Sequence, residues 1–247
     1  MRPSLLPGLI AAARRNLDRG ASSVRLFEIG RRYLGDAEHS TLSLILAGDR
    51  KDRGWQSGKA QAFGPFDAKA EVLALLDAAG APVDNLQVFP DAGPTWHPGR
   101  SATLRLGPKT IVAAFGELHP GLRKTLDAPA GAVAAEIYLD AIPAARSSGR
   151  ARAAYSPPAL QAITRDFAFI VPTEVTADTL LRSIRGADKA LIAGARLFDR
   201  FEAADGLSLA FEVTLQPTEK SFTDEQIGDV SKKIVVAAEK LGARLRT

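Results

Sequence analysis

The chain opens with Met1-Arg-Pro-Ser-Leu-Leu-Pro-Gly-Leu9, and a second informative segment, Phe27-Glu-Ile-Gly30, follows after the length of one helix. Ser4 is placed to cap a helix, because its hydroxyl can accept an unpaired N–H group of the first turn, where Pro7 is also tolerated. Apolar residues then recur at helical spacing at Leu6, Leu9, Ile10, Ala13 and Leu17. The opening therefore predicts an amphipathic helix that leads into a strand at Val24–Tyr33.

The residues that follow predict a mixed domain. Alternating apolar residues bounded by turn residues predict strands at Thr41–Ala47, Leu86–Phe89, Ala102–Leu106, Thr110–Phe115 and Ala134–Leu139. Helical spacing predicts a helix at Phe66–Ala79 and a short one at Pro120–Leu126. Strands that form hairpins, mixed with two main helices, favour an α+β domain built on an antiparallel sheet.

The order of elements in the C-terminal part predicts a ferredoxin-like fold. Strands are predicted at Arg165–Val171, Ala195–Glu202, Leu207–Leu215 and Arg244–Arg246. Helices are predicted at Ala177–Arg185 and after Thr223, which forms a capping box with Gln226. The resulting order, β-α-β-β-α-β, is that of a ferredoxin-like domain. The small, polar stretch Ala144–Pro158 predicts a linker, so we place the two domains at residues 1–150 and 151–247.

Composition excludes several classes of protein. Of the 247 residues 46% are hydrophobic, which allows a sizeable core. No apolar run reaches the length of about eighteen residues that predicts a membrane span. Cysteine is absent, which excludes disulfides and thiol chemistry, and we expect a cytoplasmic protein. The net charge is +4, but residues 151–247 hold 13 basic and 13 acidic side chains, so any RNA contact there must come from a local patch.

Segments in both halves of the chain resemble one family. In the first half they are Arg2-Pro-Ser-Leu-Leu-Pro-Gly8, Phe27-Glu-Ile-Gly-Arg31, Phe66-Asp-Ala-Lys69, Trp96-His-Pro-Gly-Arg-Ser-Ala102 and Phe115-Gly-Glu-Leu-His-Pro120. In the second half they are Arg165-Asp-Phe-Ala-Phe169, Leu197-Phe-Asp199, Ser208-Leu-Ala-Phe211 and Thr223-Asp-Glu225. The first set resembles the class II aminoacyl-tRNA synthetase-like domain of the bacterial phenylalanyl-tRNA synthetase β subunit. The second set is similar to that subunit's ferredoxin-fold anticodon-binding domain.

This resemblance implies a function. In the family, the α subunit makes phenylalanyl-adenylate and Phe-tRNA with ATP and Mg²⁺, while the β subunit supplies interface and tRNA contacts in an (αβ)₂ assembly. The resemblance therefore implies that the chain is the C-terminal portion of a longer β subunit of phenylalanine–tRNA ligase. Its partners would be the α subunit and tRNA(Phe), with no membrane. The chain itself would hold no catalytic residue, no metal ligand and no cofactor.

One departure from active class II enzymes supports a non-catalytic role. In active members, the strand that corresponds to Leu26–Tyr33 continues into an Arg-x-Glu sequence whose arginine grips the ATP α-phosphate. The resemblance places Leu34 at the arginine and Asp36 at the glutamate. Leucine cannot neutralise phosphate charge. The electrostatic stabilisation of the transferring group, worth roughly several kcal/mol in an active enzyme, is therefore missing. We therefore expect a domain that keeps the class II synthetase fold but has lost its catalytic activity.

The candidate RNA-binding residues are four cations on strands or at strand ends, Arg165, Arg196, Arg200 and Lys220. We expect them to contact phosphates, which gives affinity without sequence readout. Arg165 could equally pair locally with Asp166. Alternation along Leu207–Leu215 leaves Ser208, Ala210, Glu212 and Thr214 on the open face of the sheet, so base stacking on aromatic side chains is not expected there.

Alternatives remain open at this point. The chain could be an adenylating enzyme on its own, which Leu34 argues against, or a purely structural module without RNA contact. His97 and His119 each precede a proline and lack neighbours at metal-ligand spacing, so we expect structural roles for both. His39 is expected in an exposed turn. The segment Gly54–Lys59 resembles a phosphate-binding loop, but its glycine-to-lysine spacing is one residue short and Ala60 replaces the required Ser or Thr. We therefore expect a flexible loop there.

Overall fold

The computed structural model of the chain describes residues 1–144, 157–203 and 206–246. The chain divides into two compact units, Met1–Arg150 and Ala151–Thr247, and each is described by itself. The predicted linker, Ala144–Pro158, lies almost entirely outside the described residues. Within the described ranges, no helix combines the length and apolarity that crossing a membrane requires.

The first unit is built on a seven-stranded sheet whose named neighbours all pair antiparallel. Its helices are α1 (Leu6–Asp18), α2 (Pro65–Ala78) and α3 (Pro120–Thr125). Its strands are β1 (Ser23–Leu34), β2 (Ala37–Lys51), β3 (Gln61–Ala62), β4 (Leu86–Phe89), β5 (Trp96–Leu106), β6 (Thr110–Leu118) and β7 (Val133–Tyr138). The strand order is β1-β2-β7-β6-β5-β4, and β3 pairs with β2.

The sheet of the first unit is covered on both faces because its central strands are apolar on both sides. In β2, neighbouring side chains point to opposite faces. Leu44 packs in the cluster that includes Val72 of α2, whereas Ile45 packs in the cluster that includes Ile10 of α1. The sheet therefore separates two small cores, and the α+β architecture on an antiparallel sheet is confirmed.

Helix α1 begins slightly differently from the prediction. The capping position is Leu5, not Ser4, and no side chain bonds to the helix from that position. The Ser4 hydroxyl still accepts the N–H of Leu6 at 3.1 Å and donates to the buried Glu136 carboxylate at 2.7 Å. Ser4 therefore joins the helix start to β7, as well as satisfying one N–H group of the first turn.

Two of the segments that carry the family resemblance, Trp96–Ala102 and Phe115–Pro120, lie side by side where strands β5 and β6 pair. Strand β5 bulges at residues 97–100, so that Trp96 pairs with Leu118 and Ser101 pairs with Gly116 of β6. Gly116 has a φ of +131°, and an added Cβ would overlap the Arg100 carbonyl oxygen and lie 2.5 Å from the Ser101 Cα. Only glycine fits where the bulge crosses β6.

The second unit has the predicted ferredoxin-like order. It contains β8 (Ile163–Val171), α4 (Ala177–Gly186), β9 (Ile192–Ala203), β10 (Gly206–Leu215), α5 (Asp224–Glu239) and β11 (Arg244–Leu245). The four-stranded sheet has the order β11-β8-β10-β9, with antiparallel neighbours throughout. The predicted β-α-β-β-α-β fold is therefore confirmed.

Both helices of the second unit start at the predicted caps. The Thr176 hydroxyl accepts the N–H of Thr179, and Thr223 forms the expected capping box with Gln226. The core between sheet and helices is fully apolar at its centre, where Phe169, Phe211, Leu180, Ile184 and Ile234 are buried. With α4 and α5 covering one face, the other face of the sheet is left open.

Candidate nucleic-acid interface

The open face of the second unit's sheet is set by alternation along its central strands. On β10, Leu209, Phe211, Val213 and Leu215 are buried against the helices, as predicted. The intervening Ala210, Glu212 and Thr214 are half-buried on the opposite face. Across the sheet, Ala168 of β8 pairs with Ala210, which leaves a shallow floor of small side chains. Such a floor leaves room above it for a planar group.

Strand β9 carries an aromatic residue onto this open face. Phe211 pairs with Leu197, but the next residue, Ala210, pairs with Asp199, so Phe198 is an extra residue in a β-bulge. The bulge reverses the alternation, and Phe201 therefore pairs with Ser208 on the open face. Phe201 is 53% exposed. The sequence predicted no pair of base-stacking aromatic side chains on this face. The structure places one aromatic residue there, Phe201, because the bulge at Phe198 reverses the alternation that would otherwise turn Phe201 toward the helices.

The end of the chain places a cation beside Phe201. The backbone N–H of Arg246 donates to the Ala168 carbonyl at 2.8 Å, which extends the edge pairing of β11. The Arg246 guanidinium lies 5.7 Å from the centre of the Phe201 ring and donates to the Ser208 hydroxyl at 3.5 Å. Ser208 lies on the open face as predicted but is only 2% exposed. We call Ala168, Phe201, Ser208, Ala210 and Arg246 the Phe201 surface.

The structure does not bring the four predicted cations together. Arg196 lies on the open face, where it donates to both carboxylate oxygens of Glu212 at 2.8 and 3.1 Å. That hydrogen bonding raises the pKa of the Arg196 guanidinium and lowers the pKa of the Glu212 carboxyl. Arg200 pairs in register with Leu209, on the helix side, and donates to Glu202 at 3.0 Å. Both charges are thus already matched by carboxylates.

The other two predicted cations, Arg165 and Lys220, are not held by a carboxylate within the described ranges. Arg165 pairs in register with the inward-facing Val213, and its guanidinium donates to the Thr164 carbonyl at 3.5 Å but to no carboxylate among the described residues. Lys220 is exposed between β10 and α5 and forms no ion pair with any residue that the structure describes. The role of all four in binding RNA stays a prediction. Phe201 and Arg246 were not identified as binding residues from the sequence. Their positions, an aromatic residue near the end of β9 and an arginine just after β11, were the only indication in the sequence.

Comparison with known proteins identifies the family. Residues 1–139 match the family described as "Phenylalanyl tRNA synthetase beta chain CLM domain". The chain belongs to this family. Residues 158–246 match the family described as "Ferredoxin-fold anticodon binding domain". The second match covers the unit that carries the Phe201 surface.

Relatives of this beta chain family match along the whole chain. It is 58% identical to a phenylalanine–tRNA ligase beta subunit of Novosphingobium aromaticivorans, with 100% of this chain and 32% of the relative covered. The corresponding protein of Zymomonas mobilis is 54% identical, and that of Brucella abortus is 44% identical, with the same coverage. The chain therefore spans about a third of the length of these relatives.

In this member of the beta chain family, Leu34, which the resemblance places at the ATP-binding arginine of active class II enzymes, lies at the end of a tight hairpin. Leu34 pairs with Ala37, and Gly35 and Asp36 alone form the turn between β1 and β2. Leu34 is an exposed aliphatic side chain that offers no hydrogen-bond donor to a phosphate. At this position the residues present do not fit the α-phosphate of ATP.

The histidines of the first unit behave differently from one another. The His119 side chain accepts the N–H of Gly121 at 3.2 Å and caps α3, so its expected structural role is confirmed. For His97, the backbone carbonyl accepts the Ser101 hydroxyl at 2.6 Å, while the ring Nδ1 has no partner among the described residues. The expectation of an exposed turn at His39 is wrong, because β2 begins earlier than predicted and His39 pairs with Arg32. Among the described residues, no cluster of His, Asp and Glu side chains could hold a metal ion.

Proposed function

We propose that this chain is a non-catalytic part of a phenylalanine–tRNA ligase beta subunit that binds tRNA(Phe) and associates with the α subunit. In this proposal, the whole enzyme is an (αβ)₂ assembly that uses ATP and Mg²⁺ to charge tRNA(Phe) with phenylalanine. The observation that carries the tRNA role is the exposed Phe201 ring beside Arg246 on an open sheet face. The match of residues 158–246 to an anticodon-binding domain supports it.

The Phe201 surface has the chemistry that single-stranded RNA requires. Unpaired anticodon bases present flat π faces, and such bases bind by stacking on aromatic side chains and on arginine guanidinium planes. Phe201 supplies the ring, Arg246 supplies an adjacent guanidinium, and Ala168 and Ala210 leave space beside them. The Arg246 charge also favours a neighbouring phosphate. We therefore place an unpaired anticodon base on Phe201.

Of the four predicted cations, Arg165 and Lys220 pair with no carboxylate in the described ranges, and we expect these two to contribute phosphate contacts. The double variant R165E/K220E should weaken tRNA(Phe) binding and reduce the slope of log affinity against log salt by about 1.4, since each single-strand phosphate contact contributes about 0.7. Titrations of tRNA(Phe) at several salt concentrations measure this slope. The matched control is K232E/K240E, which reverses two exposed charges on or next to α5.

An unchanged slope in R165E/K220E would show that these two side chains do not neutralise phosphates. A slope that falls equally in the α5 control would mean that net charge alone is responsible. Both results would leave the Phe201 surface to be tested separately. A purely structural role without RNA contact, the alternative left open by the sequence, requires that tRNA(Phe) fails to bind at any salt concentration.

For α-subunit association, we propose the exposed apolar stripe on the edge strand β1. Phe27 and Ile29 are 68% and 64% exposed, and they pair with Leu44 and Leu42 of β2. Together with Leu75 of α2, these side chains line a groove of about 340 Å³. Exposed apolar surface of this kind, rimmed by the Arg25–Glu71 ion pair, is typical of a protein–protein contact.

The double variant F27S/I29S should bind the α subunit at least about tenfold more weakly, because the loss of two apolar anchors costs roughly 1.5 kcal/mol or more at an interface. Surface plasmon resonance with the immobilised α subunit measures this affinity. F66S removes an aromatic ring that is 83% exposed elsewhere on the unit and serves as the control. Equal α-subunit affinity for F27S/I29S and the parent chain would remove β1 from the interface.

We propose that the chain does not activate phenylalanine by itself. The basis is Leu34, which replaces a phosphate-binding cation with an aliphatic side chain at the end of β1. Phenylalanine-dependent exchange between pyrophosphate and ATP should therefore stay at the background rate with this chain alone. Exchange above background that depends on phenylalanine would instead support an adenylating enzyme.

A further inference from the structure

A basic pocket in the first unit shares no lining residue with the apolar groove at β1 or with the Phe201 surface. It forms where the ends of β1, β2 and β7 meet the turn between β5 and β6, and it has a volume of about 500 Å³. Its polar lining consists of Arg32, His39, Ser40, Lys109, Tyr138 and Asp140. These side chains come from segments far apart in sequence, so the pocket is a product of the sheet's strand order.

Arg32 lies against an aromatic ring in the pocket, and its Nε atom lacks a hydrogen-bond partner within the described part of the chain. Its guanidinium carbon lies 4.3 Å from the centre of the Tyr138 ring, which fixes the plane of the cation by a cation–π contact. Its Nε atom is shielded from solvent and donates to no group among the residues that the structure describes. An orphaned donor of this kind is costly unless something else accepts from it.

The charges around the pocket leave an excess of positive charge. Lys109, in the β5–β6 turn, is exposed and forms no ion pair within the described part of the chain. The one lining carboxylate, Asp140, already accepts the Ser40 N–H at 2.8 Å and lies 3.8 Å from the His39 ring. The Tyr138 hydroxyl is protonated at neutral pH and can donate, and burial raises its pKa further, to about 12. Donors therefore outnumber acceptors in the pocket.

We infer that this pocket binds a phosphate group, with Arg32 and Lys109 as the charged donors and the Tyr138 hydroxyl as a neutral one. The volume accommodates one phosphate with its attached sugar. Arg32 covers one face of the Tyr138 ring, and Tyr138 is partly buried, so the pocket offers no open aromatic face comparable to that of Phe201. The site should therefore recognise the phosphate and not the base. The source could be a phosphodiester of an RNA strand or a free nucleotide, and the two are distinguished by experiment.

The direct test follows the Arg32 Nε–H resonance of the ¹⁵N-labelled chain by NMR while anions are added at constant ionic strength. Inorganic phosphate and AMP should shift this resonance saturably, with a dissociation constant of about 1 mM or tighter. Adenosine, which lacks the phosphate, should not. Because the readout is local to Arg32 and the first probe is inorganic phosphate, the result does not depend on whether the Phe201 surface binds tRNA.

The charge dependence is tested by K109Q, which alters an exposed turn and should not affect folding. It should weaken phosphate binding by about fivefold, as expected for one partly screened unit charge. K124Q, an exposed lysine on α3, is the matched control and should bind as the parent chain does. Y138F keeps the ring beneath Arg32 and removes only the hydroxyl, so it should weaken binding by a smaller factor.

The source of the phosphate is assigned by comparing AMP with a single-stranded hexaribonucleotide. Tighter binding of the hexamer, read at Arg32, assigns the site to an RNA backbone, and tighter binding of AMP assigns it to a free nucleotide. The inference is overturned if no probe gives a saturable shift at Arg32. It is also overturned if K109Q and K124Q bind phosphate equally, or if adenosine shifts the resonance as AMP does.

Discussion

Phe201→Ala is expected to lower the affinity of the chain for the anticodon stem–loop of tRNA(Phe) by about 5- to 150-fold, because stacking of one base on an aromatic side chain contributes about 1–3 kcal/mol. The ring is 53% exposed and supported from one side by Arg246, so it is available to a base without rearrangement of the sheet. Fluorescence anisotropy with a labelled stem–loop measures the change. Phe201→Tyr keeps the aromatic face and should bind within about twofold of the parent chain.

The control for this variant is Phe66→Ala. Phe66 is 83% exposed at the start of α2 in the first unit and is not one of the residues of the Phe201 surface, so its removal serves as a general loss of exposed aromatic area. Thermal unfolding should be little affected by either substitution, because neither ring is buried in a core. An F201A chain that binds the stem–loop as tightly as F66A would remove base stacking from the proposal.

Gly116→Ala should destabilise the first unit by about 3 kcal/mol or more, which is at the high end of single-substitution effects. The new Cβ would overlap the Arg100 carbonyl oxygen and lie 2.5 Å from the Ser101 Cα, so strand β5 would have to move away from β6. The φ of +131° adds backbone strain, since residues with a side chain avoid this region. Urea unfolding followed by tryptophan fluorescence reports the loss, because the buried Trp96 lies on the same strand pair.

Gly107→Ala separates the two causes. Gly107 also has a positive φ, +70°, but nothing lies within 4 Å of an added Cβ. It should therefore show only the strain cost of about 1–2 kcal/mol. If Gly116→Ala costs no more than Gly107→Ala, the close approach of the β5 bulge to β6 is not important for stability.

The parts of the fold that could be predicted from sequence are those that local pattern determines. Helix α5 follows from the Thr223–Gln226 capping box and from apolar residues at helical spacing, which pack against the sheet as expected. The strand order of the second unit follows from the order of its elements. In these segments, propensity, spacing and caps all indicate the same structure.

The parts that could not be predicted depend on an extra residue in a strand. At β9, one bulged residue, Phe198, reverses which side chains face the helices, and nothing in the local pattern signals it. At β5, the prediction began at Ala102, but the strand starts at Trp96 and carries Pro98 within a bulge. Proline is tolerated there because a bulged residue need not donate to the ladder.

Contacts between residues far apart in the chain are the second group of features that could not be predicted from the sequence. Phe201 and Arg246 meet because β9 and β11 are the two edges of one narrow sheet, and the long Arg246 side chain reaches across it. The pocket at Arg32 similarly collects Lys109 and Tyr138 from separate strands. Charge placement along the chain led instead to Arg196 and Arg200, which the structure pairs with Glu212 and Glu202.

The central claim, that the open sheet face of the second unit is the surface that meets tRNA, is tested most directly by mapping NMR chemical-shift changes on adding the tRNA(Phe) anticodon stem–loop. We predict that the resonances of Phe201, Ser208 and Arg246 move together and saturate with the stem–loop, while those of Ser183 and Val236 on the helix side stay in place. Changes confined to the helix side, or none at all under saturating RNA, would contradict the account.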